Sequence, residues 1–78
     1  MTLQEVLNAI EQFGNDFVHI TLTNDRVICG VLQNAYSGDR QDPRGYTKPY
    51  FYVFRIDLAN NPIEKYNCEE AIEIAQIN

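Results

Sequence analysis

Few side chains in this sequence could perform covalent chemistry. There is one histidine, His19, one serine, Ser37, and two cysteines, Cys29 and Cys68. Nucleophilic catalysis needs a nucleophile, a base and an orienting group within hydrogen-bonding reach of one another, and no spacing in the chain indicates such a set. Two glutamates follow Cys68 directly, and acidic neighbours raise the pKa of a thiol and make it less reactive. We therefore expect no catalytic residue and no enzyme activity.

Metal binding is not indicated either. The two cysteines lack the CxxC spacing of a zinc site, and the spacing of an EF-hand is absent. Asp39 and Asp42 alternate with Arg40 and Arg44. Local ion pairing between these carboxylates and guanidinium groups accounts for the pattern without a cation. We expect no metal and no cofactor.

The basic residues are concentrated in one segment. A net charge of −5 and an isoelectric point near 4.5 argue against binding to nucleic acid through a broad basic surface. Residues 37–49 nevertheless hold half of the bases, interleaved with an aromatic residue, and single-stranded RNA is held by stacking on aromatic rings and by cations on phosphates. The candidate RNA-binding residues are Arg40, Arg44, Tyr46 and Lys48, with Tyr36 and Asn67. The alternative is an ordinary solubilising loop.

The sequence begins with a helical pattern. Thr2 and Glu5 have the spacing of a capping box. Apolar residues then recur at helical spacing as far as Phe13 and form a single stripe. Gly14 follows, where a helix commonly ends. The pattern predicts a helix over residues 2–14.

The rest of the chain is typical of strands. Apolar residues alternate over 17–22, and the turn formers Asn24-Asp25 lead into a second strand over 26–35. Gly30 interrupts this second strand and predicts a sharp bend. The remaining elements are a long loop at 37–49, strands at 50–57 and 63–67, a 3₁₀ turn at 68–71, and a strand at 72–77 with Ile72 and Ile74 facing inward.

The third strand is apolar on both faces. Phe51 and Val53 lie on one face, and Tyr52 and Phe54 on the other. Such a strand is covered on both sides, either by the helix or by a neighbouring subunit. A core built from 78 residues is small, and tyrosine-rich surfaces are typical of interfaces. We expect self-association, with a monomer as the alternative, and the candidate interface residues are Phe51, Val53, Ile63, Tyr66 and Ile74.

This order of elements predicts a mainly β fold in a single domain, residues 1–78. The expected architecture is a small SH3-like five-stranded antiparallel barrel with an N-terminal α-helix. Closure would remove the exposed sheet edges, which a small chain has to protect. The alternative is an open α+β sheet with the helix on one face.

Residues 18–32, VHITLTNDRVICGVL, resemble the first half of the first motif of the Sm and Sm-like proteins. The shared pattern has alternating aliphatic residues, a polar turn, another aliphatic residue, a glycine and an aliphatic residue two places later. It falls on Val18, Ile20, Leu22, Asn24, Ile28, Gly30 and Leu32. The later stretch KYNCEEAIEI is loosely similar to the second Sm motif.

The resemblance implies a bent five-stranded barrel, and rings in which the fourth strand of one subunit pairs with the fifth strand of the next. Many members of this family bind RNA around the pore. Members that bind uridine-rich RNA carry an aspartate near the end of the second strand, where this chain has Tyr36. The Arg-Gly of the second motif is absent, and Asn67 and Cys68 stand there. The usual RNA site is thus lost or rebuilt.

These observations predict a non-enzymatic binding and assembly module. It would form a homo-oligomer, in the shape of a ring, and contact a macromolecular partner through residues 37–49. RNA binding is the alternative, and an acidic decoy of a nucleic-acid-binding partner also fits the net charge. No run of 18 apolar residues is present, and the first residues are amphipathic and acidic, unlike a secretory signal. We therefore expect a cytoplasmic protein with no membrane partner.

Overall fold

The computed structural model describes residues 1–38 and 48–77 of the chain, which form one antiparallel sheet and one helix. The elements are α1 (Leu3–Phe13), β1 (Val18–Leu22), β2 (Val27–Tyr36), β3 (Tyr50–Arg55), β4 (Ile63–Asn67), a 3₁₀ turn (Cys68–Glu70) and β5 (Ala71–Gln76). The five strands lie in the order β4-β3-β2-β1-β5. The predicted mainly β class and the N-terminal helix are confirmed.

Helix α1 begins with the predicted capping box. The backbone N–H of Glu5 donates to Thr2 Oγ1 over 3.1 Å, and the backbone N–H of Thr2 donates to Glu5 Oε1 over 2.9 Å. This contact with the backbone and side chain of Thr2 lowers the pKa of the Glu5 carboxyl. The helix ends at Gly14, which has a φ of +54°. Its inner face buries Val6 and Ala9 and packs against β2.

The turn between β1 and β2 follows the sequence expectation. Asp25 has a φ of +63° and its N–H donates to the carbonyl of Leu22. The side chain of Asn24 accepts from the N–H of Arg26 over 3.1 Å. Asparagine and aspartate tolerate this left-handed backbone better than most residues, so the turn that was predicted from Asn24-Asp25 is confirmed.

Strand β2 passes from one partner to another at Gly30. Residues 27–30 of β2 pair with β1, and residues from 30 onward pair with β3. Gly30 belongs to both sets, with Val18 opposite on β1 and Arg55 opposite on β3. A Cβ atom there would lie 2.2 Å from the carbonyl oxygen of Phe54. Only glycine lets the two backbones approach so closely.

The core lies between α1 and the inner face of the sheet. It consists of Val6, Ala9, Val18, Ile20, Leu22, Ile28, Leu32, Phe51, Val53, Cys68 and Ala71. Partly buried residues of the helix and of the last two strands pack around it. The buried core therefore draws on α1, the 3₁₀ turn and four of the strands, and β4 contributes the partly buried Tyr66.

The sheet is not closed, which corrects the expectation of a complete barrel. In the described part of the chain, β4 pairs with β3 alone and β5 pairs with β1 alone. The 3₁₀ turn carries the chain from one edge of the sheet to the other. It is held there because the N–H of Cys68 donates to the carbonyl of Pro49 and the N–H of Thr23 donates to that of Glu70. Strands β4 and β5 are consequently both edges, as in the open-sheet alternative.

Candidate functional site

The residues predicted to bind RNA are placed in two groups. Arg40, Arg44 and Tyr46 lie outside the described residues, as does most of the 37–49 segment. Lys48 forms an exposed ion pair with Glu69, at 2.7 Å between Nζ and Oε1. Surface pairs of this kind contribute little to stability.

Tyr36 and Asn67 are brought together by the sheet register. Tyr36 lies opposite Tyr50 on the neighbouring strand, and Tyr50 lies opposite Asn67 on the next. The three residues form a row across β2, β3 and β4. The row lies at the end of the sheet where the 37–49 segment leaves and returns, so two of the predicted RNA-binding residues do share one surface.

One more tyrosine, Tyr52, and one lysine, Lys65, extend this row. Tyr52 follows Tyr50 by two positions on β3, on the face opposite the buried Phe51, and it pairs with Lys65 of β4. We call Tyr36, Tyr50, Tyr52, Lys65 and Asn67 the tyrosine face. It lies on the outer side of the sheet, away from the core.

The rings of the tyrosine face pack against one another. The centroids of Tyr36 and Tyr50 are 5.3 Å apart, and Tyr52 contacts both edge-on, at 6.1 and 5.8 Å. The Lys65 ammonium lies 4.2 Å from the centroid of the Tyr50 ring, a cation–π contact. Tyr36 remains 44% exposed. The face thus offers exposed aromatic surface beside one basic side chain, Lys65.

Sequence reasoning included Tyr36 and Asn67 but missed Tyr50, Tyr52 and Lys65 as members of this site. The signal for the tyrosines was available: residues two apart on a strand share a face. The signal for Lys65 was not, because its position over Tyr50 depends on how β3 and β4 are aligned.

A second cluster surrounds Arg55, which is only 2% exposed. Its guanidinium donates to Asp57 through two parallel hydrogen bonds of 2.7 and 2.9 Å. It also donates to Tyr66 Oη over 2.7 Å and to Glu64 Oε2 over 3.2 Å. The Tyr66 hydroxyl in turn donates to Glu64 Oε2 over 2.6 Å. We call these four residues the Arg55 cluster.

The Arg55 cluster has a structural role. The hydrogen bonds from Arg55 lower the pKa of the Asp57 carboxyl, and Asp57 in turn raises the pKa of Arg55. Burial, followed by the bond to Glu64, raises the pKa of the Tyr66 phenol. A buried guanidinium needs paired carboxylates to offset its desolvation. The cluster therefore ties the turn after β3 to the inner face of β4.

The predicted interface residues differ in how deeply their side chains are buried. Phe51 and Val53 are fully buried in the core of the single chain, and their assignment to an interface stays a prediction. Tyr66 and Ile74 are half-buried and pack against the core. Ile63 on β4 is 61% exposed and remains available to a partner.

Ile72 differs from the expectation that it faces inward. The pairing of β1 with β5 shifts register between Thr21 and Leu22, and this irregularity leaves Ile72 55% exposed. Ile74, beyond the shift, is partly buried against the core. Each of the two open edges therefore carries one strongly exposed isoleucine, Ile63 on β4 and Ile72 on β5.

The residues considered for catalysis lie apart from these surfaces or inside the fold. His19 and Cys29 are opposite each other on β1 and β2. Cys68 is buried, and burial raises the pKa of its thiol.

Within residues 1–38 and 48–77, no three His, Cys, Asp or Glu side chains come together as metal ligands would. No helix in these ranges combines the length and apolar character needed to cross a membrane.

Comparison with protein families, with curated proteins and with solved structures found no match to this chain.

Proposed function

We propose that this protein is a non-enzymatic assembly module with an Sm-like architecture. Its copies join through the two open edges of the sheet to form a ring, and the ring presents residues 37–49 to a macromolecular partner. The observation that carries the proposal is the pair of edge strands, β4 and β5, whose outer sides have no partner strand among the described residues and which each carry a strongly exposed isoleucine, Ile63 and Ile72.

An open edge strand is a template for pairing with another chain, because it presents a row of unpaired N–H and C=O groups. Strand β4 has five residues and β5 has six, so each edge could hold a short antiparallel partner. A contact between unlike edges of identical copies is head-to-tail and produces a ring when the rotation closes. The resemblance to Sm proteins implies this same pairing of the fourth strand with the fifth.

The size of the chain supports assembly. A domain of about this length buries a smaller fraction of its surface than a larger one and often gains stability from a partner. Pairing the edges would cover Ile63 and Ile72 and satisfy the backbone groups of β4 and β5. The two strands would then be protected from uncontrolled association.

The test is the mass of the protein in solution. Light scattering coupled to gel filtration, and native mass spectrometry, should both give a defined multiple of the chain mass at micromolar concentration. Ile63→Lys should weaken the assembly by tenfold or more. Val27→Lys is the matched control, since Val27 is 51% exposed but lies on β2 rather than on an edge strand. If the natural chain has the mass of a single copy at every protein concentration up to about 100 μM, the proposal is overturned.

Binding of single-stranded RNA is the second candidate, and the tyrosine face is the observation that favours it. Exposed aromatic rings stack on bases, and a neighbouring lysine can contact phosphate. In an assembly, each copy would contribute one such face, and weak contacts would add by multivalency. With the chain at −5 overall, binding would be confined to this local surface.

Fluorescence anisotropy with a labelled single-stranded RNA tests this candidate. Loss of one stacked base costs about 1–3 kcal/mol, so Tyr36→Ala should weaken binding by roughly five-fold or more. Phe17→Ala is the control, because Phe17 is a 54% exposed aromatic residue that directly precedes β1 and is not part of the tyrosine face. Equal affinities for the two variants and the natural chain would exclude the tyrosine face as the RNA site.

A further inference from the structure

His19 and Cys29 lie directly opposite each other on the outer side of the sheet. They are partners in the register of β1 with β2. Their neighbours Ile20 and Ile28 are fully buried in the core, so His19 and Cys29 face the other way, since successive side chains of a strand alternate between its two faces. His19 is exposed, and Cys29 is a half-buried free thiol. The spacing of the two in the sequence gives no sign of this pair, which arises from the alignment of the strands.

The backbone hydrogen bonds make this pair a close one. The carbonyl of Cys29 accepts from the N–H of Ile56, on the side of β2 that faces away from β1. The carbonyl of Phe17 accepts from the N–H of Ile77, and alternate residues of a strand direct their backbone groups to the same side, so those of His19 also turn away from β2. The two residues thus form a non-hydrogen-bonded pair, in which the Cβ atoms lie about 4.5–5.5 Å apart.

This spacing suits a metal ion held between the two side chains. A metal bonded to a thiolate sulfur at about 2.3 Å and to an imidazole nitrogen at about 2.1 Å joins two atoms that are ~4 Å apart. In the part of the chain that the structure describes, neither the His19 nor the Cys29 side chain makes a hydrogen bond or an ion pair. Both can therefore turn towards a metal without giving up a polar contact.

We propose that His19 and Cys29 form a binding site for copper(I). Thiolate sulfur is a ligand of soft metal ions such as copper(I) and of zinc, and imidazole binds both metals. Zinc is almost always held by three or four protein ligands, whereas among the described residues no third His, Cys, Asp or Glu joins this pair. Copper(I) accepts a low coordination number, so one sulfur and one nitrogen are sufficient for it.

The surroundings of the pair favour an uncharged complex. Val27 and Val31 lie on either side of Cys29 on the same face of β2, and Ala75 of β5 lies opposite His19. Copper(I) replaces the proton of the thiol, which passes to the solvent, and the charges of the metal and the thiolate then cancel. A divalent ion on the same two ligands would leave a positive charge beside apolar side chains, which is unfavourable.

Competition with a colorimetric chelator of copper(I), in oxygen-free and reducing solution, tests the site. The natural chain should remove one copper(I) ion per chain from the chelator. Cys29→Ser and His19→Ala should each weaken binding by roughly tenfold or more, because even groups that only support a metal ligand contribute about 10–100-fold to affinity. Zinc added in excess should not displace the copper.

Cys68→Ala and Thr21→Ala are the matched controls. Cys68 is the other free thiol, but it is buried. Thr21 lies two positions from His19 on the same face of β1. Both variants should bind copper(I) as the natural chain does, and circular dichroism should show that each variant is folded.

X-ray absorption at the copper edge identifies the ligands directly. It should show one sulfur and one nitrogen on the metal in the natural chain, and the imidazole nitrogen should be lost in His19→Ala. Unchanged affinity in His19→Ala, or one copper held by sulfur alone between two chains, would overturn the proposal, because Cys29 would then bind without the histidine. Displacement by zinc would overturn the choice of metal. The site lies within one chain, so its failure would leave the proposed assembly standing, and a single-chain mass would leave the copper site standing.

Discussion

Replacement of Gly30 by alanine should strongly destabilise the fold. A Cβ atom at this position would lie 2.2 Å from the carbonyl oxygen of Phe54 and 2.7 Å from Cγ1 of Val53. Ordinary contact begins at 3.4 Å, so β2 and β3 would have to move apart by about 1 Å where Gly30 pairs with Arg55. The nearest atom belongs to the backbone, and no side-chain rotation can relieve the clash.

The magnitude follows from two contributions. Overpacking of a well-packed interior costs about 1–3 kcal/mol, and a weakened backbone hydrogen bond at the displaced pair adds about 1 kcal/mol. The total of roughly 2–4 kcal/mol is a large part of the ~4–12 kcal/mol expected for a domain of this length. Gly30→Val should be worse still, because its branched side chain extends into the same space.

Urea denaturation followed by circular dichroism measures the loss in the free energy of unfolding, and heating followed by the same signal measures the melting temperature. One kcal/mol corresponds to roughly 4–8 °C in Tm for a domain of this size, so the melting temperature of Gly30→Ala should fall by at least ~8 °C. Gly14→Ala is the matched glycine control. Gly14 has a φ of +54° and a ψ of −122° but no neighbour within 4 Å, so alanine there should cost about 1–3 kcal/mol through backbone strain alone, without a steric clash.

The result that would refute the reasoning is a Gly30→Ala variant as stable as the natural chain. That result would mean that the close approach of β2 and β3 at Gly30 does not depend on the missing side chain.

Three further changes test the helix cap and the Arg55 cluster. Thr2→Ala removes the N-cap and should lower the free energy of unfolding by about 1 kcal/mol, whereas Thr23→Ala in an exposed turn should have little effect in the same urea titration. Tyr66→Phe removes a hydroxyl that bonds Arg55 and a glutamate, which should cost about 1–2 kcal/mol; an unchanged midpoint would contradict it. Because Arg55 lowers the pKa of Asp57, the ionised carboxylate stabilises the fold above the ordinary aspartate pKa, and this contribution is lost as the pH falls through the lowered value. The free energy of unfolding of Asp57→Asn should therefore fall less than that of the natural chain between about pH 5 and about pH 2. If the two free energies fall by the same amount, ionisation of Asp57 does not contribute to stability.

The local elements could be predicted from the sequence because their causes are local. The capping box of α1 needs only Thr2 and Glu5, and the first hairpin needs only Asn24-Asp25 and the alternation on either side. The strands were predicted to within about two residues for the same reason. The sharp bend expected at Gly30 stays a prediction: the structure shows there a change of pairing partner and a close contact with Phe54, which depends on β3, and the irregular pairing of β2 lies between Leu32 and Ala35.

The remaining features depend on alignments between distant segments. Arg55 stands in an apolar strand, and nothing in the pattern shows that Asp57, Glu64 and Tyr66 surround it. Phe51 and Val53 were assigned to an interface because their strand is apolar on both faces. Such a pattern indicates that both faces are covered, but it does not show whether the helix or a neighbouring subunit covers them. The sequence could not decide between a closed barrel and the open-sheet alternative, because closure of the sheet depends on the path of the 3₁₀ turn between β4 and β5.

The pairing of Tyr36 with Tyr50 has a consequence for engineering. These two residues fix both ends of the segment between them, so the sheet anchors that segment independently of its length. The entropic cost of closing a flexible loop grows slowly, by about 0.6 kcal/mol for each doubling of its length. A foreign peptide grafted between Ser37 and Pro49 would then have both of its ends held by the sheet.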